Sequence, residues 1–370
     1  MIESGLYLHI PFCEKRCNYC NFFSSVKNDE IKSKYVDELC AEIEKISKKY
    51  GEVKLNTIYF GGGTPSLLSL REFDKIFSSI NKSFYLNKPE ITVEINPNSA
   101  ENISFYPSFG INRLSVGIQS SSDKYLKILG RLHDSITGKK TLEKAAGIFD
   151  NVSGDIIIGV DDNQSVRDEF EYISPYVKHI SCYMLTIEEG TALYKSINAK
   201  SVSVATEDRV VMQYEDMTNF AESGGFIRYE TSNFAFCGYE SKHNSSYWNL
   251  TPYIGVGAGA HSYFDGRRYF NKSDLSSYLE GVHSGNGGEI IEREKSVSDD
   301  KEEFVMLSLR TKNGVIFNEY KKKFGTDFFS DYEKGIKKSE EYLSIDSDKI
   351  CILPKYFAVQ NSIICSVLQF

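Results

Sequence analysis

The chain has 370 residues, 41% of them hydrophobic, which is enough for two domains or for one large α/β domain with an appendage. Its net charge of −8 disfavours nucleic acid and anionic lipid as partners, because both are recognised through a positive field. No apolar segment approaches the roughly 18 residues of a membrane span, and the N-terminus lacks the pattern of a signal peptide, so we expect a cytosolic protein.

Short β-prone segments alternate with longer amphipathic segments over the first half of the chain. The predicted strands lie at residues 5–10, 57–60, 91–95, 113–118, 155–160 and 179–185. The predicted helices between them lie at 29–50, 70–80, 124–130, 137–149 and 166–173. This alternation favours parallel strands with right-handed crossovers, and six strands are too few to close an eight-stranded barrel. We therefore predict an α/β fold, a partial (β/α)6 barrel.

The pattern changes near residue 190. Residues 191–275 are rich in polar, aromatic and glycine positions, and no regular structure can be assigned to them. The Lys/Glu-rich segments 292–310 and 319–343 predict solvated helices, and a final apolar helix follows. We predict a barrel over 1–190, a barrel extension over 191–290, and a smaller α+β C-terminal domain of winged-helix character over 291–370.

Three of the eight cysteines, Cys13, Cys17 and Cys20, lie together on the loop after the first predicted strand. Thiolates at this spacing favour zinc or an iron–sulfur cluster. A closed zinc site needs a fourth ligand, but His9 lies inside the strand and no second cysteine pair is adjacent. On a four-iron cluster, three cysteines would leave one iron open for a small molecule. A zinc site and a merely buried cysteine trio remain the alternatives.

The C-x3-C-x2-C string, with Tyr19 before its last cysteine, resembles the signature of the radical S-adenosylmethionine (SAM) superfamily. In that superfamily the open iron binds SAM through its amino and carboxylate groups, and the cluster can reduce SAM to a 5′-deoxyadenosyl radical. The resemblance thus implies a [4Fe–4S] cluster on Cys13, Cys17 and Cys20, with SAM as the second cofactor.

A glycine turn and several polar residues at strand ends resemble the SAM-binding set of the HemN/HemW (oxygen-independent coproporphyrinogen III oxidase-like) family. Taken alone, the turn could be structural, and the polar residues could be ordinary strand-end caps. The resemblance implies the SAM-binding residues Tyr7, Tyr19, Gly62, Gly63, Thr64, Glu94, Gln119, Arg131 and Asp155. By the same resemblance, Glu94 and Asp155 would bind the ribose hydroxyls, and Gln119 and Arg131 the ribose and the carboxylate.

Two features resemble the haem chaperones of this family more than its coproporphyrinogen III dehydrogenases. The dehydrogenases carry another cysteine two residues beyond the third ligand, where this chain has Phe22, and a longer N-terminal extension. The string from His243 to Trp248 also resembles the HNxxYW haem-binding motif of the chaperones. A neutral imidazole is a natural axial ligand of haem iron. The alternative for His243 is a core histidine that hydrogen-bonds inside a turn.

The resemblance therefore implies a haem chaperone that binds haem at His243 and passes it to an unidentified apo-protein, which can be membrane-associated. No nucleic-acid partner and no coproporphyrinogen oxidase activity are expected. One alternative is a dehydrogenase that converts coproporphyrinogen III to protoporphyrinogen IX in haem biosynthesis. Another is a zinc-stabilised binding protein without radical chemistry.

Overall fold

A computed structural model describes residues 1–26, 28–281, 289–291 and 296–370 of the chain. The strands are β1 (Ile2–Ile10), β2 (Phe12–Cys13), β3 (Ser25–Val26), β4 (Val53–Gly62), β5 (Tyr85–Ile95), β6 (Arg113–Gln119), β7 (Asn151–Ile158), β8 (His179–Met184), β9 (Ile227–Arg228), β10 (Asn233–Ala235), β11 (Tyr253–Val256), β12 (His261–Phe264), β13 (Arg267–Asn271), β14 (Glu289–Ile291), β15 (Val315–Ile316), β16 (Leu343–Ile345) and β17 (Lys349–Ile352). The helices are α1 (Asp29–Tyr50), α2 (Leu70–Ser83), α3 (Asp123–Leu129), α4 (Ser135–Ala146), α5 (Val166–Ile173), α6 (Ala192–Asn198), α7 (Glu207–Ser223), α8 (Lys242–Trp248), α9 (Leu275–Gly281), α10 (Val297–Ser308), α11 (Phe317–Phe324), α12 (Phe328–Ser339) and α13 (Gln360–Leu368).

A parallel sheet in the order β1, β4, β5, β6, β7 and β8 forms the centre of the fold. These are the six strands predicted from the sequence, and the α/β partial-barrel prediction is confirmed. Apolar residues on the outer side of these strands pack against the helices in one hydrophobic core. The carboxyl ends of the strands meet at one end of the barrel, which we call the upper end, and the opposite end is the lower end.

Helix α1 shows why the helix predictions succeed. The side chain of Asn28 accepts a hydrogen bond from the backbone N–H of Ile31 (3.0 Å), which caps the first turn. Tyr35, Leu39 and Ile43 are fully buried along one face. The observed bounds equal the predicted 29–50, because the N-cap at Asn28 and the periodicity of the apolar residues indicate the same helix.

Residues 191–275 contain more regular structure than the sequence indicated. They hold helices α6 to α8 and strands β9 to β13. Strand β11 pairs parallel with β1 and leads into the antiparallel β12, β13 and β14, whereas β10 and β9 extend the other edge beyond β8. These strands are two to five residues long, too short for an alternating pattern to be read. The division at residues 190 and 290 stays a prediction.

The C-terminal region combines helices α10 to α13 with a small antiparallel sheet in the order β15, β17, β16. This agrees with the predicted smaller α+β domain. The predicted helix start at 292–295 lies outside the described residues. None of the described helices combines the length and the apolar character needed to cross a membrane.

Candidate functional site

The cysteine loop and the glycine turn are held together at the upper end by backbone hydrogen bonds. The N–H of Gly63 donates to the carbonyl of Ile10 (2.9 Å), and that of Thr64 donates to the carbonyl of Phe12 (2.8 Å). A Cβ at Gly63 would lie 2.7 Å from both carbonyl oxygens, so only glycine allows this approach. The turn is thus part of the cysteine-loop structure.

The three clustered thiols are free and partly buried. Burial raises the pKa of Cys13 and of Cys20, so metal binding must release protons. A guanidinium nitrogen of Arg131 lies 3.4 Å from the sulfur of Cys17. Within the described residues, no group of three or more His, Cys, Asp or Glu is arranged to hold one metal ion. Thiolates that each bind a different iron of one cluster must lie farther apart than ligands of a single ion.

Beside the cysteine loop lies a cavity of about 490 Å³ at the upper end of the barrel. Eight of the nine predicted SAM-binding residues line this cavity together with the three cysteines. They are Tyr19, Gly62, Gly63, Thr64, Glu94, Gln119, Arg131 and Asp155. The structure thus brings together predicted site residues that lie up to 142 positions apart in the chain, from Cys13 to Asp155.

Two partly buried carboxyl groups face this cavity. Glu94 accepts hydrogen bonds from the hydroxyl of Tyr59 (2.8 Å) and the N–H of Gly62 (3.3 Å). Asp155 accepts from the hydroxyls of Ser115 (3.0 Å) and Ser153 (3.2 Å). Burial raises the pKa of Glu94 to about 7 and also raises that of Asp155. The two carboxyls can accept hydrogen bonds from a vicinal diol such as ribose.

Arg131 also lines the cavity and supplies positive charge to it. Its guanidinium donates to the side chain of Asn96 and to the carbonyl of Gly117 (2.7 Å). Its Nε is buried and has no partner among the described residues, so one donor remains unused. Gln119 ends β6 in a left-handed conformation (φ 69°) beside a register shift of the strand. The donors and acceptors at this end fit a small zwitterion with a ribose.

Tyr7 is the predicted SAM-binding residue that does not line the cavity. Its hydroxyl is hydrogen-bonded to Nδ1 of His9 (3.1 Å), and its ring stacks on Tyr59 at 6.2 Å. A Cβ at Gly61 would lie 3.1 Å from the Tyr7 ring, so the ring lies beneath the glycine turn. The structure therefore places Tyr7 behind the cavity wall, and its contact with SAM stays a prediction.

His243 lies near the lower end of the barrel, away from the cavity. It is 1% exposed, its Nδ1 is hydrogen-bonded to the hydroxyl of Thr57 (2.8 Å), and its Nε2 to the hydroxyl of Tyr247 (2.9 Å). Burial, followed by the charge of Arg113, lowers the pKa of His243 to about 3. The imidazole is therefore neutral, but neither nitrogen is free. This geometry is that of the core-histidine alternative, so haem ligation, which stays a prediction, would require α8 to move.

The cavity and the HNxxYW helix are connected through the barrel interior. The Tyr59 hydroxyl binds Glu94, and the Tyr59 ring stacks on His243 at 5.0 Å. The backbone N–H of His243 donates to Glu90 (3.1 Å), four residues before Glu94 on the same strand. Four strand residues span about 13 Å, which is the approximate depth between the two levels.

Two regions match known protein families. Residues 7–172 match the radical SAM superfamily, and residues 297–355 match the HemN C-terminal domain. "Heme chaperone HemW" of Lactococcus lactis is 31% identical over 97% of this chain and 96% of its own length. "Heme chaperone HemW" of Bacillus subtilis is 32% identical, covering 86% of each chain. The chain belongs to the HemN/HemW family of radical SAM proteins.

A solved structure supports the same fold for this HemN/HemW family member. Coproporphyrinogen III oxidase (HemN) from Escherichia coli superposes with a TM-score of 0.84 over 99% of this chain and 90% of that one, at 18% identity. At this identity the likeness concerns the fold. Membership of the radical SAM superfamily implies a [4Fe–4S] cluster and SAM, and the donors at the upper end fit both groups.

Several residues that shape the site of this family member were not predicted from the sequence. Tyr59 and Ser115 bind the two carboxyls, and Asn96 binds Arg131. Arg113 lies fully buried in the barrel interior. A usable signal existed in the alternation of Arg113, Ser115 and Gly117 along β6, which puts polar or small residues on one face of an otherwise apolar strand.

Proposed function

We propose that this chain is a haem chaperone that binds haem and transfers it to a haem-accepting apo-protein. The observation that carries the proposal is the similarity along almost the whole chain to curated haem chaperones of the family. Phe22 supports it, because this 68% exposed aromatic ring lines the cavity where the dehydrogenases were expected to have a further cysteine.

Under this proposal, Cys13, Cys17 and Cys20 hold the cluster, and the cavity residues hold SAM. When bound, the two groups supply a redox-active centre with a sulfonium ligand beside it. Glu94 and Asp155 accept hydrogen bonds from the ribose, and Arg131 offers its unused Nε to the SAM carboxylate. We assign these groups to the control of haem transfer and not to turnover of a substrate.

We further propose that His243 ligates the haem iron after α8 is released. A neutral imidazole has the protonation state that iron needs, and Nε2 becomes available once its bond to the Tyr247 hydroxyl breaks. The Tyr247 hydroxyl therefore competes with haem for the same nitrogen. Tyr247 and Trp248 are partly buried in the structure, so their contact with a porphyrin also depends on this release.

This competition gives an experiment that separates a ligand from a core histidine. Haem is titrated into wild type, His243→Ala, Tyr247→Phe and a control, His261→Ala, and the Soret band is followed. We expect His243→Ala to lose the wild-type band and Tyr247→Phe to bind haem about three- to tenfold more tightly, since one competing hydrogen bond is removed. Equal spectra and affinities for wild type and His243→Ala would overturn the ligand assignment.

A parallel assay separates the chaperone from the dehydrogenase. The reconstituted protein is incubated anaerobically with SAM, a reductant and coproporphyrinogen III. We expect no protoporphyrinogen IX, but transfer of bound haem to an apo-protein such as apomyoglobin. Formation of protoporphyrinogen IX at a catalytic rate would overturn the chaperone proposal in favour of the enzyme.

A series of buried hydrogen bonds from Asp155 to the start of α8 supports our proposal that SAM controls haem transfer. Ser153 is hydrogen-bonded to Asp155 and to Nδ1 of His179 (2.8 Å), and Nε2 of His179 binds the hydroxyl of Tyr229 (2.8 Å). That hydroxyl accepts from the N–H of Ser241 (3.2 Å), whose side chain caps α8. A change at Asp155 can therefore alter the position of α8.

We test whether SAM controls haem transfer by comparing the rate of haem release with and without saturating SAM. We expect SAM to change the rate at least threefold in wild type and to have no effect in Asp155→Asn. Equal release rates for wild type with and without SAM would contradict control by SAM, and would leave haem binding itself unaffected.

A further inference from the structure

A buried positive charge that forms no ion pair with the described residues lies in the barrel below the cavity. Arg113 begins β6 and is 1% exposed, which makes it one of the largest fully buried side chains. Its Nε has no hydrogen-bond partner in the part of the chain that the structure describes. Burying such a charge is costly unless other charges offset it, so its surroundings decide what it does.

The strand register places Arg113 just below the two cavity carboxyls. Arg113 pairs with Thr92 of β5, and two residues farther along these strands lie Ser115 and Glu94. Ser115 donates to Asp155 on the next strand. Side chains two residues apart share a strand face, so Arg113, Ser115 and Glu94 all face the barrel interior. Arg113 is thus one step deeper than the groups that would contact the ribose.

The charge of Arg113 acts on both carboxyls through space. Hydrogen bonds from neighbouring hydroxyls and a backbone N–H lower the pKa of Glu94 and of Asp155, and the charge of Arg113 adds a smaller lowering at both. Together these effects oppose the desolvation that raises both pKa values. Without the charge of Arg113, the two neighbouring carboxyls would be driven further towards their neutral forms, since Asp155 itself raises the pKa of Glu94.

Arg113 is the cation that lowers the pKa of both carboxyls. The guanidinium of Arg131 is engaged by Asn96 and the carbonyl of Gly117. His179 and His243 lie near Arg113, and burial and its charge lower the pKa of each, so they stay neutral. The remaining groups that face Glu94 or Asp155 are hydroxyls and a backbone N–H, namely those of Tyr7, Tyr59, Gly62, Ser115, Ser153, Ser181, Tyr183 and Tyr247.

We propose that Arg113 is a positioning residue for SAM: its buried charge favours the carboxylate forms of Glu94 and Asp155, which accept the ribose hydroxyl hydrogen bonds and offset the sulfonium charge. A carboxylate can accept both hydroxyl protons of a diol, whereas a neutral carboxyl must use one oxygen as a donor. The inference rests on the SAM site proposed above and is independent of haem binding.

The test compares SAM affinity across pH for anaerobically reconstituted wild type, Arg113→Met and Arg113→Lys, by calorimetric titration between pH 6 and 9. For wild type, affinity should rise as pH passes through about 7, because Glu94 becomes ionised there. For Arg113→Met, affinity at pH 7.5 should fall at least threefold, and the rise should move to higher pH, because the carboxyls lose a charge that lowers their pKa. Arg113→Lys keeps the charge and should keep the wild-type pH profile.

A double-mutant cycle excludes a merely structural effect. In the double variant Glu94→Gln and Asp155→Asn, the further change Arg113→Met should alter SAM affinity less than twofold, because neither carboxylate is present for Arg113 to stabilise. Arg113→Met with an unchanged pH profile, or with its full effect in that background, would overturn the proposal. A wild-type protein that binds no SAM at any pH would instead refute the SAM site itself.

A measurement on the protein without cofactors covers the case in which Arg113→Met fails to fold. The carboxyl carbon of ¹³C-labelled glutamate at position 94, assigned with Glu94→Gln, is titrated in the wild type. A pKa near 7 supports the proposal. A value above about 8, as found for buried glutamates that lack a countercharge, would overturn it.

Discussion

The two ends of the barrel interior differ in how far the protein satisfies its own polar groups. At the upper end, three thiols are free, Arg131 has an unused Nε, and two carboxyls face an open cavity. At the lower end, His243 uses both ring nitrogens, and the N–H groups of Lys242 and His243 donate to Glu90.

Under the proposed function, this difference would separate a SAM site that is ready for its ligand from a haem site that must open. The upper end keeps donors and acceptors unpaired, which is costly unless a ligand pairs them. The polar groups of the His243 side chain are paired, so under the proposed function the structure would be a closed state with respect to haem. Mutations at the upper end should therefore reduce SAM or cluster binding with little loss of stability, whereas mutations at His243 should reduce stability as well as haem binding.

The largest effect is expected for Cys17→Ala at the upper end. One of three cluster ligands is removed, so iron and sulfide content after anaerobic reconstitution should fall from about four of each per chain to near zero. The control is Cys237→Ala, because Cys237 is exposed and lies outside the cysteine loop. Full cluster content in Cys17→Ala would refute the assignment of the three thiols.

The next effect concerns the carboxyl groups of the cavity. Asp155→Asn removes a buried charge that accepts hydroxyl hydrogen bonds, and SAM affinity should fall about ten- to a hundredfold. Calorimetric titration of reconstituted protein measures this, with Glu101→Gln as the control, since Glu101 is exposed and does not line the cavity. A loss below twofold would show that the ribose does not bind there.

At the lower end, the effect should appear in stability and its pH dependence. His243→Ala leaves the hydroxyls of Thr57 and Tyr247 without their partner and should reduce the free energy of unfolding by about 1–3 kcal/mol. The folded pKa of His243, about 3, lies below its unfolded value of about 6.5. Its contribution is therefore present above pH 6.5 and is lost as pH falls towards 3.

Urea unfolding at pH 5 and pH 7.5 checks both parts of this prediction. The stability gap between wild type and His243→Ala should be smaller at pH 5 than at pH 7.5. The exposed His261→Ala should change stability by less than about 0.5 kcal/mol at either pH. A gap that grows on acidification would mean that His243 carries a proton in the folded protein.

The smallest effect is expected for Tyr59→Phe, between the two ends. The change removes the hydroxyl that binds Glu94 but keeps the ring that stacks on His243. SAM affinity should fall about two- to fivefold, because one of several hydrogen bonds to the carboxyl is lost and the pKa of Glu94 rises. Stability should change less than in His243→Ala. An equal loss of stability would show that the two ends are not separable.

The difference between the two ends of the barrel also explains which features could be predicted from the sequence. The cysteine loop and the glycine turn are local motifs, and the six parallel strands are long enough to carry a pattern. The strands of residues 191–275 are too short to show an alternating pattern. Whether His243 lies open or closed depends on Thr57 and Tyr247, and the first of these is 186 positions away. Long-range pairing of this kind has no local signal.

Hydrogen–deuterium exchange of residues 241–248 on haem addition tests most directly whether the lower end opens to bind haem. If His243 becomes an iron ligand after α8 is released, the amides of Lys242 and His243, now bonded to Glu90, should exchange at least tenfold faster in the haem complex. Saturating haem binding with unchanged exchange in this segment would contradict the closed-to-open account.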